Sequence, residues 1–425
     1  MDFNTFLLRL GLDPTDFVNK PVETIKSDDG FVYELEQIDG ERICPHCHSE
    51  SIYIKEYKRV KIHNNDVGDE REIIYIRKIR YKCRICGKTF TKPIKGIKRY
   101  DAHTERMKNI VFNDLLEPVS FSSIARRHSI SLSETIKIFD DRVKEVPRRT
   151  MPEVMCIDEI KFSDDEFQKY VVVLTDFKTR DIVDIIKSRQ MPFLKEYFSS
   201  ISEKERMRTK VFISDMYEGY DTICHQYFPK AIHIIDLFHV ITQLTNAINR
   251  LRVQVMNTEA HKGTPEYNFM KQHWQCFLCR KTKIPNRDYT VKATGETFHY
   301  SDLVFKCIQL RFDLWEGYDC LQELFKYSLT YNFEEAINFV ERIVTKLEKT
   351  NNELLKKVAQ TYHKWRIEIA NGFDKKSRQM KYTNSLAEEK NNELKTIIKN
   401  AYGYNNFHRF RRRAMMIMTY RKKDK

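Results

Sequence analysis

Three carboxylates stand where their types and spacing suit the binding of cations. Asp158 lies in the middle of the apolar run Val154–Phe162, Val-Met-Cys-Ile-Asp-Glu-Ile-Lys-Phe. A charge inside such a run costs free energy unless it is paired or metal-bound. Asp215 follows a second apolar run, Lys210–Ser214, and Glu388 falls in Thr383–Asn392, which opens a predicted helix. Two strand-borne aspartates and one helix-borne glutamate are the oxygen donors a pair of divalent cations needs for phosphoryl transfer. Each acid also has a plainer use. Asp158 can cap a turn, Asp215 can N-cap the helix after it, and Ser385-x-x-Glu388 fits a capping box. Glu159 and Glu389 are neighbouring acids. Strand alternation and the helical period direct them off the faces that carry Asp158 and Glu388.

The cysteines form a second set. Cys44-Pro-His-Cys47 and Cys83-Arg-Ile-Cys86 are two knuckles that together close a tetrahedral four-thiolate Zn2+ site. The alternating stretch Glu72–Lys82 predicts the hairpin that a zinc ribbon places between them, with His46 and His48 exposed. Cys276-Phe-Leu-Cys279 lacks a partner knuckle and is expected as buried thiols on an amphipathic helix.

The elements that must position these groups divide the chain into six parts. Residues 1–40 begin with a short helix, Phe3–Leu10, and 41–100 make the zinc ribbon. Within 101–150, Phe121–Phe139 reads as helix, tight turn, helix, with Ser131 and Glu134 spaced for a capping box and no glycine in the turn. This helix-turn-helix is expected to bind DNA through Arg126, Arg127 and Lys137. In 151–237, Val154–Phe162, Tyr170–Asp176 and Asp181–Lys187 predict an antiparallel meander, followed by alternating helix and strand. That is the element order of a ribonuclease-H-like α/β fold, whose first and fourth strands are neighbours and would bring Asp158 beside Asp215. Residues 238–380 are nearly all helical, including Phe238–Val255, Tyr300–Phe325, Phe333–Lys349 and Glu353–Ala370, and hold Trp274, Trp315 and Trp365, expected mainly as core. The last part, 381–425, has a helix with Glu388, Asn391, Asn392, Lys395 and Lys399 on one polar stripe. Its basic tail, with Arg411, Arg412 and Arg413, either tracks phosphates or is a solvated helix end. The fold class is α+β multidomain.

Composition agrees with a DNA partner. A net charge of +14 over 425 residues favours a polyanion, and 41% hydrophobic residues exclude a disordered chain. The start, Met-Asp-Phe-Asn-Thr-Phe, lacks the basic region and apolar core of a signal peptide, and no apolar run of about 20 residues suggests a membrane span. A cytoplasmic location with reduced thiols is expected.

At these residues the chain resembles bacterial insertion-sequence DDE transposases of the ISL-three type. The matching features are the two cysteine knuckles, Ile157-Asp158-Glu159 before a meander, Ile213-Ser-Asp215-Met216 and Ile235-Asp-Leu-Phe-His-Val240. Thr383-Asn-Ser-Leu-Ala-Glu388, Asn391-Asn392 and Ala401-Tyr-Gly-Tyr404 complete the set, the last block being the most specific. The likeness covers about 40 to 415, although the family more often has glycine where Ser385 and Glu389 stand. It implies that Asp158, Asp215 and Glu388 hold two Mg2+ (or Mn2+) ions, with 238–380 as an all-helical insertion before the last acid. It implies cleavage and transfer of double-stranded DNA, transposon ends and target, by a homo-oligomer associated with the bacterial nucleoid. Lys395 would then join the DNA contacts. Two alternatives stay open: a non-catalytic zinc-dependent DNA-binding regulator derived from a transposase, and a nuclease of the same fold.

Overall fold

The computed structural model describes residues 2–21, 24–27, 30–40, 42–68, 70–165, 169–291, 295–327, 332–373 and 385–420, without the side chains of 385–388 and 420. The chain is α+β and divides into two compact units, 1–147 with 396–425, and 148–395.

The first unit opens with α1 (Phe3–Leu10), N-capped by Asp2 and closed by Gly11 at φ +76°. Strands β1 (Thr24–Ser27), β2 (Gly30–Glu36), β3 (Ile52–His63) and β4 (Glu72–Cys83) pair in the order β1-β2-β4-β3, and β5 (Thr89–Thr91) also pairs with β4. The hairpin expected between the cysteine pairs is β3–β4. Residues 1–40 share its sheet, because β2 runs parallel to β4. They share its core too, since Leu7, Leu10, Tyr33 and Leu35 pack with Ile62, Ile74 and Ile76. Three helices follow: α2 (Glu105–Leu115), α3 (Phe121–Arg127) and α4 (Leu132–Arg142). Thr104, Ser120 and Ser131 cap them by accepting backbone N–H groups. In the turn between α3 and α4, Ser129 takes φ +53°, the left-handed region that favours glycine. Met107, Val111, Leu115, Ile124, Ile138 and Phe139 bury the inner faces.

The second unit holds a five-stranded sheet. Strands β6 (Val154–Lys161), β7 (Tyr170–Asp176) and β8 (Ile182–Ile186) form the antiparallel meander. β9 (Val211–Ser214) then runs parallel to β6, and β10 (Ile232–Ile235) parallel to β9, giving the order β10-β9-β6-β7-β8. Helices α5 (Met191–Ser199), α6 (Glu203–Arg206) and α7 (Glu218–Tyr227) lie between the later strands in the chain. One face of the sheet buries Met155, Ile157, Val172 and Phe212 against Leu194, Phe198 and Tyr220. The other buries Val154, Cys156, Val211, Ile213 and Ile234. Burial on both faces is why β6 and β9 read as continuous apolar runs.

Among the described residues seven helices continue this unit: α8 (Leu237–Thr258), α9 (Pro265–Gln272), α10 (Tyr300–Gln309), α11 (Phe312–Lys326), α12 (Phe333–Glu348), α13 (Glu353–Lys364) and α14 (Arg366–Asn371). Two helices predicted as single pieces are each broken. Tyr300–Phe325 parts at the extended Arg311, and Glu353–Ala370 parts at Trp365. A small hairpin, β11 (Asp288–Thr290) with β12 (Thr297–His299), interrupts the helices. Cys276 lies on a 3-10 turn, Trp274–Phe277, rather than on an amphipathic α-helix; Cys276 is buried and Cys279 half-buried. Trp365 is core, Trp315 packs on the core's edge, and Trp274 is exposed. Helix α15 (Ser385–Asn400) leads back to the first unit, where α16 (Phe407–Tyr420) buries Phe407, Phe410, Ala414, Met415 and Ile417. No helix among the described residues is long and apolar enough to cross a membrane.

Candidate functional site

The parallel pairing of β6 with β9 sets Val154 opposite Val211 and Cys156 opposite Ile213. Two residues further along each chain come Asp158 and Asp215, so the register puts both acids at one level on neighbouring strands. Asp158 Oδ1 accepts the Glu159 N–H at 2.8 Å, and its Oδ2 accepts from Asn391 Nδ2 at 2.6 Å. Asn391 is buried on α15. Its other amide atom, Oδ1, is buried without a hydrogen-bond partner, as is Asp215 Oδ1.

Burial raises the pKa of both aspartates by disfavouring the charged form. Asp215 is pushed up to about 6; Glu159 and Asp158 add to the rise while His239 opposes it. Asp158 is also raised by burial, against the Glu159 N–H, His239, Lys395 and Asn391. Two clustered carboxyls that resist joint ionisation, beside two unpartnered oxygens, fit a hard divalent cation bound through oxygen.

Glu159 alternates with Asp158 along β6 and shares the parity of Met155 and Ile157, which pack with Tyr220. It ion-pairs with Arg189 at 2.6 Å, yet its charge raises the pKa of Asp215 ahead of that of Asp158. Tyr220, which no sequence motif marks, has a buried hydroxyl without a hydrogen-bond partner. Burial lifts its pKa first, and the charges of Glu159, Asp215 and Asp158 lift it further. Beneath Asp215, Ser214 Oγ donates to the Asp215 carbonyl at 2.8 Å. It therefore accepts from His233 Nε2 at 2.9 Å, while His233 Nδ1 lies 3.2 Å from Asp221 Oδ1. Asp221, His233 and Glu368 bring their donor atoms within 4.8 Å of one another. Only the strand periodicity hinted at His233, and it carries no motif. Position 388 is on α15, three residues before Asn391, but the Glu388 side chain lies outside the described residues.

Cys44, Cys47, Cys83 and Cys86 gather with all sulfurs within 4.8 Å. Cys44 Sγ is 3.6 Å from Cys86 Sγ, and Cys47 Sγ is 3.6 Å from Cys83 Sγ. A tetrahedron with Zn–S bonds of about 2.3 Å has edges of about 3.8 Å, so the spacing suits Zn2+. The two knuckles repeat one design. His48 N–H donates to the Cys44 carbonyl and Gly87 N–H to the Cys83 carbonyl, with His48 at φ +56° and Gly87 at φ +67°. The Cys86 N–H leads the effects that hold the Cys83 thiol down to about 7, toward the thiolate that binds metal. His46 and His48 are exposed.

The residues expected to touch DNA fare differently. Arg126, Lys137 and Lys395 are exposed, and Lys137 lies 4.0 Å from Glu134. Arg127 is exposed but pairs with Asp114 at 2.7 Å, where His128 also bonds. Two of the tail arginines have structural work instead of tracking phosphates. Arg412 pairs with Asp140 at 2.7 Å. Arg413 is 1% exposed and donates to the carbonyls of Leu115, Glu117 and Val119. Those carbonyls end α2 and begin the next turn, where an orphan acceptor needs a donor. Arg411 donates to the Val146 carbonyl and stays half-exposed. Residues 421–425 lie outside the described residues.

A family model described as a transposase matches residues 155–414. A second, described as the zinc-finger of transposase IS204/IS1001/IS1096/IS1165, matches residues 41–86. No curated protein matches the chain.

Proposed function

The chain belongs to the ISL-three family of transposases, and on that premise we propose that it cuts and rejoins DNA at a site built from Asp158, Asp215 and Glu388. The register of β6 on β9 supports this most directly, because it sets two buried acids side by side. The sheet order β10-β9-β6-β7-β8, with a meander followed by two parallel strands, is what a ribonuclease-H-like domain requires. Asn391 holds one oxygen of Asp158 and presents its own free oxygen to the same site. Glu388, one helical turn earlier on α15, is the natural third acid.

Divalent cations held there, Mg2+ or Mn2+, would supply a deprotonated water or 3′-OH and neutralise the leaving oxygen of an in-line phosphodiester displacement. The chain's own groups keep the acids ionisable and fixed. Asn391 orients Asp158, Ser214 anchors the Asp215 backbone, and Lys395 adds positive charge where a phosphate would lie. Helices α3 and α4 serve as the helix-turn-helix, with Arg126 and Lys137 outward, and the four thiolates hold Zn2+.

Mg2+-dependent nicking of the element's end DNA tests this reading. Asp158→Asn, Asp215→Asn and Glu388→Gln should each abolish nicking while leaving DNA binding near normal, since each removes a charge with little change in volume. Glu389→Gln is the matched control and should retain activity. A capping box tolerates glutamine at Glu388, so full activity in Glu388→Gln would leave that residue only a cap. Full activity in all three would overturn the DDE assignment.

A further inference from the structure

The surface of the first unit carries a groove of about 970 Å³ between the β3–β4 hairpin and the segment 92–102. Its lining includes Lys58, Lys61, Lys78, Lys92, Lys98 and Arg99. Asp101 is the acid on that lining, and its carboxylate is already bonded to Lys108. The strand register makes the charge crowding specific. Lys58 stands directly across from Lys78 on the paired strands. Like charges placed directly opposite destabilise a sheet, and neutral or opposite pairs are the usual solution.

Lys78 is the more telling of the two. It is half-buried, burial alone lowers its pKa, and no carboxylate among the described residues offsets that cost. A lysine that is desolvated, unpaired and faced by another lysine gains from an anion that approaches both. At the mouth, Tyr100 is 89% exposed and held at φ +67°, with the Arg99 guanidinium 4.8 Å from its ring centroid.

We propose that this groove binds the phosphate backbone of duplex DNA, with Lys58 and Lys78 as paired phosphate contacts. The assignment rests on the reading that the chain acts on DNA. It moves the sequence-independent part of that binding from the tail, where Arg412 and Arg413 are engaged internally, to the ribbon sheet. Phosphate contacts set affinity and its salt dependence while base contacts set specificity. The groove should therefore contribute equally on end DNA and on random DNA.

The test is binding of the full, zinc-loaded chain to end and random duplexes from low to moderate salt. Each lost phosphate contact flattens the plot of log K against log salt by about 0.9. Lys58→Gln/Lys78→Gln should thus flatten it by about 2 on both DNAs, with zinc content unchanged and the melting temperature no lower than that of the wild type. Unchanged slopes in a double variant that keeps its zinc would overturn the groove assignment alone. A wild-type chain that binds no duplex at any salt would overturn the DNA reading as well.

Discussion

Asp215 carries the clearest electrostatic signature in the chain, and its direction fixes a pH dependence. An unfolded aspartate titrates near 3.9, whereas burial pushes this one up to about 6 in the folded protein. Between those values the native state holds more protons than the unfolded state. Cation-free stability should therefore fall as pH rises from about 4 to about 6 and then level off. Asp215→Asn removes that fall and should raise the cation-free Tm at pH 7, by about 2–4 °C for each kcal/mol of the penalty in a domain of this size. Thermal melts across pH 4–8 decide it; an unaltered fall in the variant would place the penalty on another group. Asn391 makes a second claim at this scale. Removing its donated hydrogen bond in Asn391→Ala should lower cleavage about 10–100-fold without weakening DNA binding, the usual cost of losing an atom that orients a metal ligand. Cleavage at the wild-type rate would show that Asp158 needs no such support. The two aspartates were legible in the sequence because an acid inside or at the end of an apolar run is conspicuous. The bond from Asn391 to Asp158 was not, because it joins residues 233 positions apart. Alternation sets Glu159 off the Asp158 face, but its pairing with Arg189, 30 positions away, was not legible.

At the scale of elements, the β3–β4 hairpin and the α3–α4 turn each hinge on one local feature. The hairpin's open end is closed by four thiolates rather than by apolar packing. Its neighbouring apolar cluster is small, with Ile52, Ile79 and Tyr81 among its buried members. Cys83→Ser should release the Zn2+ and unfold the ribbon end, seen as lost metal by elemental analysis and rapid amide exchange in 44–54 and 79–90. Retained metal with intact protection would contradict the four-thiolate site. In the α3–α4 turn, Ser129→Gly should stabilise the first unit by roughly 0.5–1 kcal/mol, because a left-handed residue with a Cβ is strained. A destabilised Ser129→Gly would mean that the hydroxyl is needed there. The turn itself was readable from the caps at Ser120 and Ser131. The helix breaks at Arg311 and Trp365 were not, since neither residue is a helix breaker and the apolar period runs on through both.

The whole molecule returns its C-terminal end to its N-terminal unit. Residues 396–425 cluster with 1–147, although the transposase family match runs from 155 to 414 and so takes in most of α16. Within the first unit this return is more than a surface contact. Arg413 inserts a buried guanidinium among the carbonyls of Leu115, Glu117 and Val119, and Arg409 and Arg412 both pair with Asp140 on α4. Met416 packs on the core of α2, α3 and α4. A basic tail reads from sequence as a solvated arm because charge runs usually are one, and nothing local reveals acceptors 298 residues away. The consequence is a folding dependence that a detachable DNA-binding module would not show. A 1–147 fragment loses the charge-assisted bonds from Arg413, each worth about 1.5–3 kcal/mol, and uncovers the apolar surface on which Met416 packs. Its α2–α4 region should exchange amide protons rapidly while its zinc ribbon stays folded. The 148–395 fragment, with its own sheet and helical cores, should melt cooperatively by itself. Adding residues 396–425 back to 1–147 through a flexible linker should restore protection in α2–α4, and Arg413→Met in that fusion should lose it again. If 1–147 alone protects α2–α4 as well as the full chain does, α16 is an appendage and the first unit is built from the N-terminal segment only.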